Sequence, residues 1–303
     1  MKLLKFAAID IGSNAVRLLF SNVIEDEKKT VFRKSSLIRI PIRLGEDSFT
    51  KGRLTDRRID KLIQTMLAFK YLMQVQEVVA YRACATSAMR EAENARDVVK
   101  KVKKDTGIEI EIVDGKVEAE IIYSNQIVEM IDDSSPYLYV DVGGGSTEIS
   151  LFSDKKRIAS KSFDIGTIRI LNNKVGKKEF LKVKEWLAKL DFKGKTVKLI
   201  GSGGNINKLF KISGKKENQP LSILELDELQ KFISYYTLEE RIKVLGMNPD
   251  RADVIIPASE IYLKIMKWTN AKEIIVPTIG ISDGIIRQLY QEYRKQKKGL
   301  LSF

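Results

Sequence analysis

Residues 3–11 form an apolar run that closes on Asp10 and Gly12, the pattern of a strand buried on both faces. Strand character continues through residues 15–24 and 29–42, with turns at Gly12-Ser13-Asn14 and at the charged Glu25–Lys29 segment. Thr55 and Asp56 then open a helix in which Ile59, Leu62, Ile63, Met66, Leu67 and Phe69 recur at helical spacing. A strand at 76–82, a helix near 91–105, a strand at 108–113 and a helix over 116–131 complete a βββαβαβα order. Mixed order of this kind predicts a layered α/β domain.

After Asp132-Asp133-Ser134-Ser135-Pro136 the pattern restarts. Strands are expected at 137–142, 146–153 and 157–164, a helix at 177–189, and a strand at 196–200 that runs into a glycine turn at 201–204. Several helices to 267, a strand at 273–276 and a final helix at 283–297 close the chain. The restart is a weak internal repeat. Asp10-Ile11-Gly12-Ser13-Asn14-Ala15-Val16-Arg17-Leu18-Leu19-Phe20 sets beside Asp141-Val142-Gly143-Gly144-Gly145-Ser146-Thr147-Glu148-Ile149-Ser150-Leu151-Phe152 with one gap. The 303 residues suit two domains of ~100–200 residues each. The expected division is 1–117 with the C-terminal helix 284–303, and 118–283, with the two Asp-x-Gly hairpins facing each other across a cleft.

Composition narrows the chemistry. Histidine is absent, which removes Ser-His-Asp and Cys-His catalysis, His-ligated zinc and any histidine general base. One cysteine, Cys84, excludes an intramolecular disulfide and cysteine-rich metal sites; it reads as a small buried packing residue, and a reducing cytoplasm is expected. Lys+Arg 53 against Asp+Glu 40 leaves a net charge of +13, which suits polyanionic partners as well as a lysine-rich solvated surface. No apolar run approaches the ~18–20 residues of a membrane span, so no membrane partner is expected. The Met1–Ile9 segment has the look of a signal start, but Asp10 interrupts it and it reads as the first strand.

A glycine turn between strands lets backbone N–H groups approach an anion without Cβ clashes. Ser13, Asn14, Ser146 and Thr147 add side-chain donors, while Asp10 and Asp141 at the strand ends, with Glu148 just beyond, offer hard oxygens to Mg²⁺. A single such turn is as readily a plain hairpin; the pair is the stronger signal. No G-x-x-x-x-G-K-[ST] occurs, which excludes a P-loop. Gly201-Ser202-Gly203-Gly204-Asn205 is a third glycine turn, opening a helix. Arg17 stands on the first hairpin's arm, and Arg90 closes a run of small residues past a strand end, where it can clamp phosphate. Glu118 falls in the first turn of the crossover helix, where a carboxylate either complements the helix dipole or activates a water.

These segments resemble the exopolyphosphatase/guanosine pentaphosphate phosphohydrolase family of the actin/hexokinase/Hsp70 superfold. The resemblance rests on Ala8–Leu18, Ala85–Asn94, Asp141–Glu148, Gly201–Gly204 and Arg251-Ala252-Asp253-Val254-Ile255-Ile256-Pro257-Ala258, and it extends over essentially the whole chain. It implies two ribonuclease-H-like domains around a central cleft and Mg²⁺-dependent release of terminal phosphate from polyphosphate or guanosine pentaphosphate, with polyphosphate or guanosine penta- or tetraphosphate as the bound partner. It further implies Glu118 as the water-activating base, Asp141 and Glu148 as metal residues, and Gly143, Gly144, Gly145 and Ser146 as the second phosphate loop. Gly12, Ser13, Asn14 and Arg17 form the first loop, with Arg90 and Gly203 as further phosphate contacts. A homodimer is implied by the resemblance alone.

Two departures stand out. The family usually reads Gly-x-Glu-Glu-Ala-Arg before the crossover helix, whereas Gly115-Lys116-Val117-Glu118-Ala119-Glu120 keeps only the second acid. Near the end it often reads Gly-Leu-Arg-Glu-Gly, and here Gly280-Ile281-Ser282-Asp283-Gly284 lacks the arginine. The expected activity is a phosphoanhydride hydrolase. The alternatives are a polyphosphate- or nucleotide-binding regulator without hydrolysis, and an ATP-dependent kinase of the same superfold. Specific nucleic-acid binding ranks last, because no recognition helix or aromatic platform is evident.

Overall fold

Strand β1 (Lys2–Ile11) is buried from Phe6 to Ile11, because it is flanked on both sides in its sheet. The computed structural model describes residues 2–26, 29–123, 131, 135–217, 219–277 and 279–300. Strand β2 (Val16–Glu25) pairs antiparallel to β1, and β3 (Thr30–Ile40) pairs antiparallel to β2 at the sheet edge. On the other side β4 (Ala80–Ala85) and β5 (Ile110–Ile112) run parallel to β1, giving the order β3-β2-β1-β4-β5.

The second sheet repeats the scheme. Strands β6 (Tyr137–Val142), β7 (Thr147–Ser153) and β8 (Lys156–Phe163) are antiparallel, and β9 (Lys198–Ser202) and β11 (Glu273–Ile275) extend the sheet in parallel from β6. A two-residue β10 (Leu221–Ser222) pairs antiparallel at the far edge. Three antiparallel strands followed by parallel ones, twice, is the ribonuclease-H-like arrangement that the resemblance implies.

The chain divides into two compact units, Met1–Asn125 with Gly280–Phe303, and Gln126–Ile279. This moves the boundary expected at 117/118. The crossover helix Gly115–Tyr123 belongs to the first unit, because buried Ile121 packs with Ile285 and Ile286 of the last helix, Ile281–Leu300. Glu118 therefore lies in the first unit, and the second boundary falls at 279/280 rather than 283/284. Tyr290 and Tyr293 of that last helix meet Phe6 edge-on at 5.9 and 5.5 Å, which ties the chain's end to β1. In the second unit, helix Ile255–Thr269 is buried along most of its length against the core formed by β6, β7 and β9.

Several boundaries differ from the sequence expectation for local reasons. The strand expected at 76–82 begins at Ala80, since the preceding helix runs to Val75 and Glu77 turns the chain at φ 54°. Helix Leu44–Lys51 was not foreseen. It starts from left-handed Arg43 and holds Asp47 to the Thr55 N–H at 3.1 Å, so tertiary contacts rather than propensity sustain it. The helix expected near 91–105 is two, Ser87–Glu91 and Ala95–Thr106. Of the helix expected to 131, the part beyond Tyr123 lies largely outside the described residues. Among the described residues, no helix is long and apolar enough to cross a membrane.

Gly284 allows the last helix to approach the crossover helix closely, as any Cβ there would overlap the Ile121 carbonyl oxygen. Gly284→Ala should therefore lower the unfolding free energy by about 1–3 kcal/mol, because overpacking at a rigid backbone contact displaces the whole helix. Urea unfolding checks this; an unchanged midpoint would mean that the two helices separate at no cost.

Candidate active site

In the first unit, β1, β4 and β5 end level with one another, Ile11 opposite Ala85 and Ala85 opposite Ile112. Whatever follows each strand therefore gathers at one sheet edge, the carboxyl edge at which open α/β sheets place their ligands. The hairpin after β1 is closed by Gly12 N–H donating to the Ala15 carbonyl at 3.1 Å. Its buried Ser13 hydroxyl bonds that of Ser87, the first residue after β4's loop, at 2.8 Å. The Ser13 and Asn14 carbonyls accept from Gly45 and Arg43 N–H at 2.8 and 2.9 Å, which pins the turn from behind.

Arg90 lies one turn beyond Thr86 and is directed inward. Its Nη1 donates to the Val113 carbonyl at 2.9 Å and lies 3.6 Å from Oε2 of Glu118. Glu118 is buried in the first turn of its helix, whose start is capped by Asp114 Oδ1 accepting from Val117 N–H at 2.8 Å. Gly12, Ser13, Arg90 and Glu118 thus belong to one connected network at this edge. Arg17 pairs with Asp10 across the β1–β2 ladder, its Nη1 2.9 Å from Asp10 Oδ2. Asp10 is 3% exposed, so this guanidinium supplies the countercharge that burial demands. Asp10, which the strand-end pattern also offered as a metal ligand, is the carboxylate that Arg17 pairs with.

The second unit carries the same turn. Gly143 N–H donates to the Ser146 carbonyl at 2.9 Å, and Asp141 and Glu148 stand opposite each other in register, as Asp10 and Arg17 do. The two hairpins therefore match residue for residue from Asp10 to Arg17 and from Asp141 to Glu148, and the expected gap is not within them. Gly143 and Gly144 carbonyls accept from Thr167 and Ile168 N–H at 3.1 and 2.8 Å, while Arg169 Nε donates to the Gly145 carbonyl at 2.6 Å. A Cβ at Gly166 would overlap the Gly144 backbone, so this support needs glycine. Among the described residues, no backbone carbonyl takes the amides of Gly144, Gly145 or Ser146.

Asp141 and Glu148 are both buried, and each has a serine hydroxyl on one oxygen. Ser202 Oγ donates to Asp141 Oδ2 at 3.1 Å, and Ser162 Oγ to Glu148 Oε1 at 2.9 Å. Gly203 follows Ser202 at φ 113°, and a Cβ there would stand 3.2 Å from Asp141 Oδ1 and 3.0 Å from the Val142 carbonyl. Gly203 precedes helix Gly204–Ile212, whose first turn is thereby set beside Asp141. Tyr262 donates its hydroxyl to the Ser202 carbonyl from below; full burial, with Asp141 and Glu148 adding, holds its phenol well above the ordinary range.

Sequence reading missed Ser87, Ser162, Ser202, Arg169 and Tyr262. Each acts through a partner distant in the chain, and only Ser202, inside a glycine turn, carried a local signal. Lys208 of the same helix was also unmarked: burial, then Lys211 and Arg251, lower its pKa, which records three cations in one neighbourhood. Among the described residues, no three acidic or thiol side chains cluster as a self-sufficient metal cage.

Two ribonuclease-H-like units, each with an Asp-led glycine hairpin at the carboxyl edge of its sheet, define the class of protein. The chain belongs to the Ppx/GppA phosphatase family, which it matches over residues 23–292. It is 29% identical over 299 residues to a bifunctional 3-dehydroquinate synthase/phosphatase of Fusobacterium nucleatum, covering 89% of this chain and 44% of that one. Thus it spans less than half of that relative's length. It is 26% identical to exopolyphosphatase 1 of Mycobacterium bovis over 303 residues, 93% of this chain and 87% of the other. Among solved structures, an exopolyphosphatase from Cytophaga hutchinsonii shares its fold at a TM-score of 0.80 and 23% identity, over 95% and 98% of the two chains. An Aquifex aeolicus member of the Ppx/GppA family does so at 0.74 and 24%, over 96% and 99%.

Cys84 lies opposite Asp10 in the sheet and is fully buried. Burial pushes its thiol up to about 12 from 9.0, with Arg82 opposing and Glu111, Asp10 and Glu118 adding. The folded value is the higher one, so this contribution to stability is complete below pH 9 and is lost as pH rises from 9 toward 12. Over that window wild type should lose up to ~1.4 kcal/mol per pH unit more than Cys84→Ala. Paired denaturation curves check the slope, and rapid reaction of the native protein with a thiol reagent at neutral pH would contradict the burial.

Proposed function

We propose that this chain is a phosphoanhydride hydrolase that releases terminal phosphate from inorganic polyphosphate or from guanosine pentaphosphate. The observation that carries the reading is the pair of register-matched hairpins, one joined through Ser87 and Arg90 to a buried Glu118 and the other flanked by two buried carboxylates. Family membership supports it. So do the relatives named as exopolyphosphatase and, at 21% identity over 60% of its length, a guanosine-5'-triphosphate,3'-diphosphate pyrophosphatase of Photobacterium profundum.

Asp141 and Glu148 fit a magnesium ion by their chemistry. They are two hard-oxygen carboxylates neighbouring across a ladder, and Mg²⁺ takes its remaining ligands from water and substrate phosphate. Bound there, it would offset negative charge on the phosphoanhydride. The amides of Gly144, Gly145 and Ser146 hold phosphate oxygens, and the helix dipole at Gly204 favours the same charge. Glu118 orients a water and accepts its proton as the water oxygen bonds to the terminal phosphorus. The bridging P–O bond breaks, and its electron pair leaves with the shortened chain. Such a transfer needs positioning and charge stabilisation rather than a histidine. Arg90 acts on Glu118 by fixing its carboxylate.

Glu118→Gln should lower kcat for phosphate release on the order of 10²–10⁴-fold while leaving substrate affinity within a few-fold. Phosphate release from long-chain polyphosphate and from pppGpp, with Mg²⁺ varied, is the measurement. Equal loss of binding and turnover would make Glu118 structural, and tight binding without release by wild type would favour the regulator. Ser202→Ala, which strips the hydroxyl from Asp141, should raise the Mg²⁺ needed for half-maximal rate by on the order of tenfold. An unchanged metal requirement in that variant, with its fold confirmed by circular dichroism, would remove Asp141 from the metal site.

A further inference from the structure

The second unit has a cavity of about 500 Å³ on the outer side of β8, between that strand and helix Lys177–Ala188. Five cations line it: Lys161, Arg169, Lys174, Lys182 and Lys189. Two of its three carboxylates are already engaged. Glu179 accepts from the Gly176 N–H at 2.8 Å, and Asp164 faces Arg169 at 3.9 Å. Lys174, Lys182 and Lys189 make no ion pair among the described residues, so the cavity carries uncompensated positive charge. Its wall also holds Trp186, half-buried and fixed edge-on to Phe163 at 5.6 Å.

Two lining residues connect the cavity to the hairpin at its back. Arg169 donates through Nε to the Gly145 carbonyl, and Ser162 donates to Glu148. An anion that draws on the Arg169 guanidinium or the Ser162 hydroxyl acts on the very bonds that shape the glycine turn and orient Glu148.

We propose that this cavity is a second anion site, separate from the hairpin, that binds a triphosphate-bearing ligand and signals its occupancy to the hairpin through Arg169 and Ser162. Clustered lysines on flexible stems suit a multiply charged phosphate chain, because several can converge on it without fixed geometry. An inorganic chain and a nucleoside triphosphate present the same group, and Trp186 offers a base the aromatic edge of the same cavity. The site does not depend on the hydrolase reading, since it concerns binding and lies outside the residues given catalytic roles.

The test is fluorescence titration of a Trp268→Phe variant, in which Trp186 is the remaining tryptophan. The Glu118→Gln change is added to prevent turnover. Inorganic tripolyphosphate and GTP are the two probes. Tripolyphosphate should change Trp186 emission, and Lys182→Glu with Lys189→Glu, at exposed positions on the helix and just past its end, should weaken that response at least about tenfold at low salt, with a smaller effect as salt screens the charges. Calorimetry on the chain with both tryptophans should count one tripolyphosphate site fewer in the double charge reversal. GTP binding tighter than tripolyphosphate would assign the site to nucleotides; equal or weaker binding would assign it to the inorganic chain. An emission response and a site count that survive the charge reversal, or the absence of any response, would overturn the proposal. Loss of phosphate release with this binding intact would instead count against the hydrolase alone.

Discussion

A four-residue turn that closes on itself fixes the geometry on which each unit depends. Gly12 N–H bonds the Ala15 carbonyl and Gly143 N–H bonds the Ser146 carbonyl, so the amides between them cannot pair within the ladder. Buried amides demand acceptors. The turn's carbonyls are taken by Gly45 and Arg43 in one unit, and by Thr167, Ile168 and Arg169 in the other. An excess of backbone donors is what the proposed phosphate contacts would use, without recruiting side chains.

The hairpins share a backbone but differ in the residue facing the strand-end aspartate. In the first unit it is Arg17, which neutralises Asp10; in the second it is Glu148, which doubles the negative charge beside Asp141. Two adjacent buried carboxylates repel, and under the magnesium reading proposed above a divalent cation would offset that repulsion. The same register position thus gives one copy of the turn an ion pair and the other two facing carboxylates, so the duplicated architecture differs in charge at one place.

Much of this was legible in the chain because the signals were local. Asp-x-Gly after an apolar run located both turns and both acids, and the helical periodicity of Ile59–Phe69 located the helix Asp56–Val75. Helix Leu44–Lys51 was not legible, since Gly45, Asp47 and Ser48 favour other states and the helix persists through Thr55 and a left-handed Arg43. The place of Glu118 in the first unit was hidden for a related reason: it is set by Ile121 meeting Ile285 and Gly284, far along the chain. The tethers Ser13–Ser87, Ser202–Asp141 and Ser162–Glu148 join residues that share no motif. Serine is too common for any of them to be singled out.

The two departures from the resembled pattern become intelligible together. Val117 stands where the family has an acid, and its side chain, like that of Ile281, packs against the cluster that includes Ile121, Ile285 and Ile286. Ser282, where an arginine is usual, is buried beside it in sequence, and the neighbouring Asp283 accepts from Gly280 N–H at 2.8 Å while pairing with Lys34 at 3.0 Å. The crossover helix and the last helix meet in apolar contact, the same contact that Gly284 makes possible and that carries Glu118. At both positions the resembled pattern's charged residue gives way, to a valine packed on this apolar cluster and to a buried serine.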